Sequence, residues 1–172
     1  MNREAQAPVV AYVGLGSNVG DRERHLDAAL DALRALPGVV EVVPSPIYET
    51  TAVGPGEQGP YLNAVARLST RLEPRALLDA LLEIERREGR RRGGVRNEAR
   101  TLDLDLLLYG DRRIDEPGLV VPHPRLAERP FVLEPLRDLA PALVVPGSRR
   151  SVETLAAAVR DPAAVRPHEL SH

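Results

Sequence analysis

The segment Ala99–Asp111, ARTLDLDLLLYGD, contains a leucine-rich run that reads as a buried β-strand and interrupts it with two carboxylates, Asp103 and Asp105. Side chains alternate faces along a strand. Leu102, Leu104, Leu106 and Leu108 are therefore expected on one face, with Asp103, Asp105, Leu107 and Tyr109 on the other. At about 3.3 Å of rise per residue the two aspartate Cα atoms lie roughly 6.6 Å apart, within reach of one cation or a cation pair. Two anions this close repel unless a metal or arginines neutralise them, so the strand calls for a positive partner.

The candidates for that partner stand just upstream. All 23 basic residues are arginine, and seven of them fall between Arg86 and Arg100 in ERREGRRRGGVRNEAR. The missing lysine excludes a P-loop lysine, a Schiff base and a protein-kinase lysine, although biased base composition accounts for its absence. Gly89, Gly93 and Gly94 are expected to break any helix there, leaving a mobile arginine-bearing loop before the aspartate strand. A charge run is usually just a solvated surface. Here its position favours phosphate, because guanidinium groups bind phosphate bidentately and metal-loaded carboxylates bind it through the metal.

The rest of the chain supplies a frame for this strand. VVAYVGLGS reads as a buried strand and DRERHLDAALDALRAL as a helix with Leu26, Ala29, Leu30 and Leu33 on one face, ended by Pro37 and Gly38. VVEVVPSPIYETTAV is an extended segment whose Pro44 and Pro46 suit an edge or a bulge. The loop GPGEQGP precedes YLNAVARLSTRL, whose alternation suits a strand exposed on one side. EPRALLDALLEIERREG then gives a helix with Leu77, Leu78, Leu81, Leu82 and Ile84 packing inward. The order β-α-β-β-α-β predicts a ferredoxin-like α+β sandwich, mainly antiparallel with helices packed on the sheet. A proline-punctuated C-terminal extension follows, with a last helix started by Ser151. No repeat or linker divides residues 1–172, and one domain is expected.

Composition removes several classes of function. With no cysteine, zinc thiolate sites, disulfides and thiol catalysis are excluded. The N-terminal segment is unlike a signal peptide and no stretch approaches a membrane span, so a cytoplasmic protein without membrane association is expected. A net charge of -2 gives no global pull toward nucleic acid. GLGSNVG falls short of G-x-G-x-x-G because Val19 stands where the third glycine is needed. An RNA-binding module is the non-enzyme rival, since ferredoxin-like sheets can bind RNA. Tyr12, Tyr48, Tyr61, Tyr109 and Phe131 are the only aromatics, however, and they form no stacking platform.

The motifs GLGSNVGDR, YETTAVGP, YLNAV, RTLDLDLLLYG and VPHPRLAERPFVLEPL, spread over about Val9 to Val145, resemble those of the 6-hydroxymethyl-7,8-dihydropterin pyrophosphokinases. These folate-pathway enzymes move a pyrophosphoryl group from ATP to the pterin hydroxymethyl and release AMP. The resemblance implies that Asp103 and Asp105 hold two Mg²⁺ ions and that Arg90 and Arg100 act on the triphosphate, these four forming the catalytic set. It implies further ATP contacts at Glu85, Arg92, His123 and Arg129. Tyr61 and Phe131 would sandwich the pterin, Asn63 would read its pyrimidine edge, and Thr50 and Val53 would border the slot. Family members often carry an aromatic or a Gly-Pro pair before the arginine of RTLDLD, where this chain has Asn97–Ala99. The expected protein is a monofunctional, monomeric, ATP- and Mg²⁺-dependent diphosphotransferase acting on small molecules. An inactive NTP-binding regulator and an RNA-binding module remain as alternatives.

Overall fold

The structure, a computed structural model, describes residues 7–17, 21–50, 61–91 and 102–168, without the side chains of 89–91. Its elements follow the expected order. Strand β1 (Val9–Ser17) leads to helix α1 (Arg22–Ala35), then β2 (Val39–Pro44), β3 (Tyr48–Thr50) and β4 (Tyr61–Thr70). Helix α2 (Pro74–Arg91) and β5 (Asp103–Tyr109) complete the β-α-β-β-α-β core. Beyond it lie a hairpin of β6 (Ile114–Glu116) and β7 (Leu119–Val121), helix α3 (Pro130–Leu139), a hairpin of β8 (Val144–Val145) and β9 (Arg150–Ser151), helix α4 (Val152–Val159) and β10 (Val165–Pro167).

The main sheet runs β10-β3-β4-β1-β5, with β2 also paired to β4, and every pairing is antiparallel. This is the ferredoxin-like arrangement, with its second strand split in two. Pro44 and Pro46 lie at and just after the break, where a residue without an N–H cannot serve the ladder. Helices α1 and α2 cover one face through Ala11, Val13, Leu15, Leu26, Leu33 and Leu81. Helices α3 and α4 cover part of the other through Tyr12, Val65, Leu107, Leu133 and Leu155.

Local capping follows the sequence. The Asp21 carboxylate accepts from the Arg24 N–H at 3.2 Å to start α1, and Ser151 Oγ accepts from the Thr154 N–H at 3.1 Å to start α4. After α1, Gly38 takes φ +97°, the left-handed conformation that favours glycine.

The structure corrects four expectations. Strand β4, expected to be exposed along one side, is buried there at Asn63 and at Val65, over which α3 packs, and stays partly exposed at Tyr61, Arg67 and Ser69. Leu82 is 45% exposed, while Leu77, Leu81 and Ile84 carry the inward stripe of α2. Gly89 does not end α2, which continues to Arg91, since one helical glycine costs only about 1 kcal/mol. The alternation along β5 holds from Leu102 to Leu107 and then slips. The β1 register shifts between Tyr12 and Val13, which pair with Leu108 and Leu106, leaving Leu107 as the extra residue of a bulge. Leu108 therefore packs beside Leu107 under α3 and α4, and Tyr109 turns to the α1/α2 side.

Candidate active site

Asp103 and Asp105 lie on the α3 side of β5 in the part of the sheet that α3 leaves open. Directly across from them on β1 stand Gly16 and Gly14, and across from Gly16 on β4 stands Asn63. The glycines make a furrow. A Cβ on Gly16 would sit 3.1 Å from Asn63 Nδ2 and 3.9 Å from Asp103 Cβ, filling the space between them. Signals for these two glycines were present in the sequence, since Gly14 and Gly16 alternate in phase within one strand. Only the register shows that they face the aspartates.

The furrow opens into a cleft of about 520 Å³ whose polar end is Asp103 and Asp105 and whose apolar walls include Tyr61, Phe131 and Val165. Thr50 Oγ1 donates to Asn63 Oδ1 at 2.7 Å, which fixes the amide of the buried Asn63. Arg129 precedes α3, with its guanidinium over the Phe131 ring at 5.7 Å and 3.9 Å from Asp105 Oδ2. It thus joins the aromatic wall to the carboxylates, lining this cleft rather than the second one described next.

A second cleft of about 340 Å³ lies along the outer edge of β5, lined by Leu82, Glu85, Val120 and His123, and it shares Asp103 and Asp105 with the first. Glu85 on α2 accepts the N–H of Leu104, the residue between the aspartates, at 2.6 Å. The His123 N–H donates to Leu107 O at 2.9 Å on the same edge. The outer edge of β5, which no strand pairs among the described residues, is thus tied down by one side chain and one loop. His123 Nδ1 accepts from the Arg125 N–H at 3.2 Å, so the neutral ring carries its proton on Nε2. Burial holds this imidazole below its ordinary pKa; Asp105 opposes that shift and Arg129 and Arg125 add to it.

Of the residues singled out in the sequence, the structure brings Thr50, Tyr61, Asn63, Asp103, Asp105, Arg129 and Phe131 to the first cleft, and Glu85, His123 and both aspartates to the second. Arg90 lies in the last turn of α2, its side chain outside the described set, and Val53, Arg92 and Arg100 lie outside the described residues. Sequence reasoning did not identify the roles of Gly14, Gly16, Ala164 and Val165. The last two arrive from the far end of the chain, with no local signal.

Among the described residues, no group of three or more His, Cys, Asp or Glu side chains could hold a metal. A two-carboxylate site suits Mg²⁺, which binds through one or two carboxylates and completes its shell with phosphate oxygens and water. The side-chain-free floor at Gly14 and Gly16 leaves room for that shell.

The sequence pattern of the 7,8-dihydro-6-hydroxymethylpterin-pyrophosphokinase family matches residues 12–141. The chain is 48% identical over 146 residues to the 2-amino-4-hydroxy-6-hydroxymethyldihydropteridine pyrophosphokinase of Pseudomonas aeruginosa, covering 85% of this chain and 90% of that protein. It is 42% identical over 144 residues to the protein of the same name from Haemophilus influenzae, covering 82% and 88%. The Plasmodium falciparum HPPK-DHPS wild-type structure with SDX-DHP superposes with a TM-score of 0.70 at 13% identity over 91% of this chain, a likeness of fold. This chain spans 45% of that longer one.

Proposed function

Because the chain belongs to the 7,8-dihydro-6-hydroxymethylpterin-pyrophosphokinase family, we propose that it transfers the pyrophosphoryl group of ATP to the hydroxymethyl of 6-hydroxymethyl-7,8-dihydropterin. The hydroxymethyl oxygen bonds to the β-phosphorus, the bond between that phosphorus and the α,β-bridging oxygen breaks, and AMP leaves with the bridging oxygen. The products are AMP and the pterin diphosphate ester used in folate biosynthesis. One observation carries the reading: two clefts of different character meet at the same pair of carboxylates. Two substrates can therefore approach from opposite sides and react at one point.

Tyr61 and Phe131 take the flat ring, and Asn63, held by Thr50, offers donor and acceptor to its pyrimidine edge. The pterin hydroxymethyl then points along the glycine furrow toward Asp103 and Asp105. On the other side, the nucleotide occupies the cleft beneath Leu82 and Val120, where His123 can donate from Nε2. Asp103 and Asp105 would hold two Mg²⁺ ions, which when bound neutralise the phosphate chain and align it with the hydroxymethyl. Arg129 adds positive charge beside Asp105, and Arg90, Arg92 and Arg100 are assigned to the triphosphate. Glu85 acts as a positioning residue, since its carboxylate fixes the backbone between the two aspartates. Residues 1–172 work as one cytoplasmic, monomeric domain, and among the described residues no helix is long and apolar enough to cross a membrane.

The direct test is AMP formation from ATP and Mg²⁺ with and without the hydroxymethyl-dihydropterin. Stoichiometric AMP and pterin diphosphate only when the pterin is present supports the assignment. AMP release indifferent to pterin, or none with both substrates, refutes it.

A further inference from the structure

The segment after α4 is pinned at both ends by charged groups and lines the aromatic cleft between them. At its start, Arg160 Nε donates to Glu134 Oε2 at 2.7 Å. Glu134 is buried on α3, the helix that carries Phe131, and its other oxygen accepts from Arg137 Nε at 3.2 Å. The chain then turns, with the Val165 N–H donating to Asp161 O at 2.9 Å, and joins the sheet as β10. At its far end, His168 Nε2 lies 2.7 Å from Glu23 Oε2 on α1 and its Nδ1 lies 3.7 Å from Glu49 Oε2 on β3. The His168 N–H also donates to Ile47 O at 2.9 Å.

Between these anchors Ala164 and Val165 face the cleft, and Val165 is 6% exposed. Val165 pairs with Thr50, which pairs with Tyr61 and bonds the Asn63 amide. In the sheet, β10 and β5 stand at opposite ends, four strand spacings apart, roughly 19 Å at about 4.8 Å each. The aspartates close one end of the cleft and this strap closes the other.

We infer that the strap from Asp161 to His168 is the specificity wall of the pterin cleft, with Val165 and Ala164 limiting what the ring can carry on its pyrimidine edge. This rests on the pterin reading of the first cleft. A ring whose hydroxymethyl reaches the aspartates and whose pyrimidine edge meets Asn63 presents its 2-amino side toward Thr50 and Val165. A substituent there has to displace a buried side chain on a strand held at both ends, so the wall rejects it. His168 and Arg160 are positioning residues for the wall and touch no substrate.

The test measures equilibrium binding to the full chain, with Mg²⁺ and a non-hydrolysable ATP analogue, of 6-hydroxymethylpterin and its N2-methyl derivative by ring fluorescence. Val165→Ala should improve the N2-methyl compound relative to the parent by about tenfold, the scale of one methyl group in an apolar pocket. Val165→Phe should weaken the parent by about tenfold or more with the affinity for the ATP analogue within about twofold of wild type. His168→Gln should shift the same selectivity ratio in the direction of Val165→Ala. Phe131→Ala serves as the reference for the cleft itself. If it loses pterin binding while a folded Val165→Ala keeps wild-type selectivity, the strap inference is overturned and the pterin assignment stands. If Phe131→Ala binds both compounds as wild type does, the assignment of the cleft falls, and the strap inference with it.

Discussion

The two clefts that share Asp103 and Asp105 are built by different means. The aromatic cleft is made by the sheet: its floor is β1, its buried amide Asn63 is on β4, and the hydrogen-bond partner of that amide, Thr50, is on β3. Every one of those positions is fixed by strand pairing. The outer cleft lies beyond the last strand, between α2 and the β7 hairpin, with Leu82 and Val120 left 45% and 41% exposed on its rim. A rigid, flat ring suits the first. The second shows apolar surface that a nucleotide base can cover, while most of the arginines assigned to its phosphates come from a separate stretch of chain. The lesson is that strand register builds the one cleft, whereas the described part of the other is built by α2 and the β7 hairpin packing along a single sheet edge.

The sharpest break of that comparison is at the carboxylates, which belong to both halves. Asp103→Asn or Asp105→Asn keeps shape and removes charge, so turnover should fall by about 100-fold or more while the melting temperature stays near wild type. Near-normal turnover at limiting Mg²⁺ in either variant would remove the metal role. Next in size is Gly16→Val, whose Cβ would press on Asn63 Nδ2. Pterin KM should rise by about tenfold or more, with a smaller rise in ATP KM because the added side chain also narrows the floor beside Asp103, in line with overpacking of a fitted site. Equal changes in both constants would mean that the clefts are not separable.

A smaller effect is expected at Thr50→Val, which removes the donor to Asn63 Oδ1. Loss of one such bond, about 1 kcal/mol, should weaken pterin binding about fivefold and leave nucleotide binding alone. Isothermal titration of each ligand separately would decide it.

The smallest concerns His123 on the outer side. Burial lowers its pKa in the folded chain, so the unfolded chain binds a proton that the fold resists. The stabilisation from a neutral ring is present above about pH 6.5 and is lost as pH falls through the folded value. Without nucleotide or divalent cation, wild type should therefore lose more thermal stability than His123→Asn between pH 7.5 and 5.5, by about 2 °C. Parallel pH profiles would contradict it.

The sequence by itself determined what depends on near neighbours along the chain. The i, i+2 alternation put Asp103 and Asp105 on one strand face, and the helical stripe of Leu26, Ala29 and Leu33 set the buried side of α1. Asp21 and Ser151 marked helix starts because a cap acts within three residues. Only the tertiary structure decided what lies across from what. A bulge against β1 sent Leu108 and Tyr109 to faces that alternation alone assigns the other way. Register set Gly14 and Gly16 opposite the aspartates, and the packing of α3 drew Arg129 onto the Phe131 ring and toward Asp105. A strand from near the end of the chain, β10, came to wall a cleft whose aspartates lie some sixty residues earlier. Alternation and capping are written in backbone geometry over two to four residues, whereas register and edge pairing are settled by contacts between segments that only the closed sheet brings together.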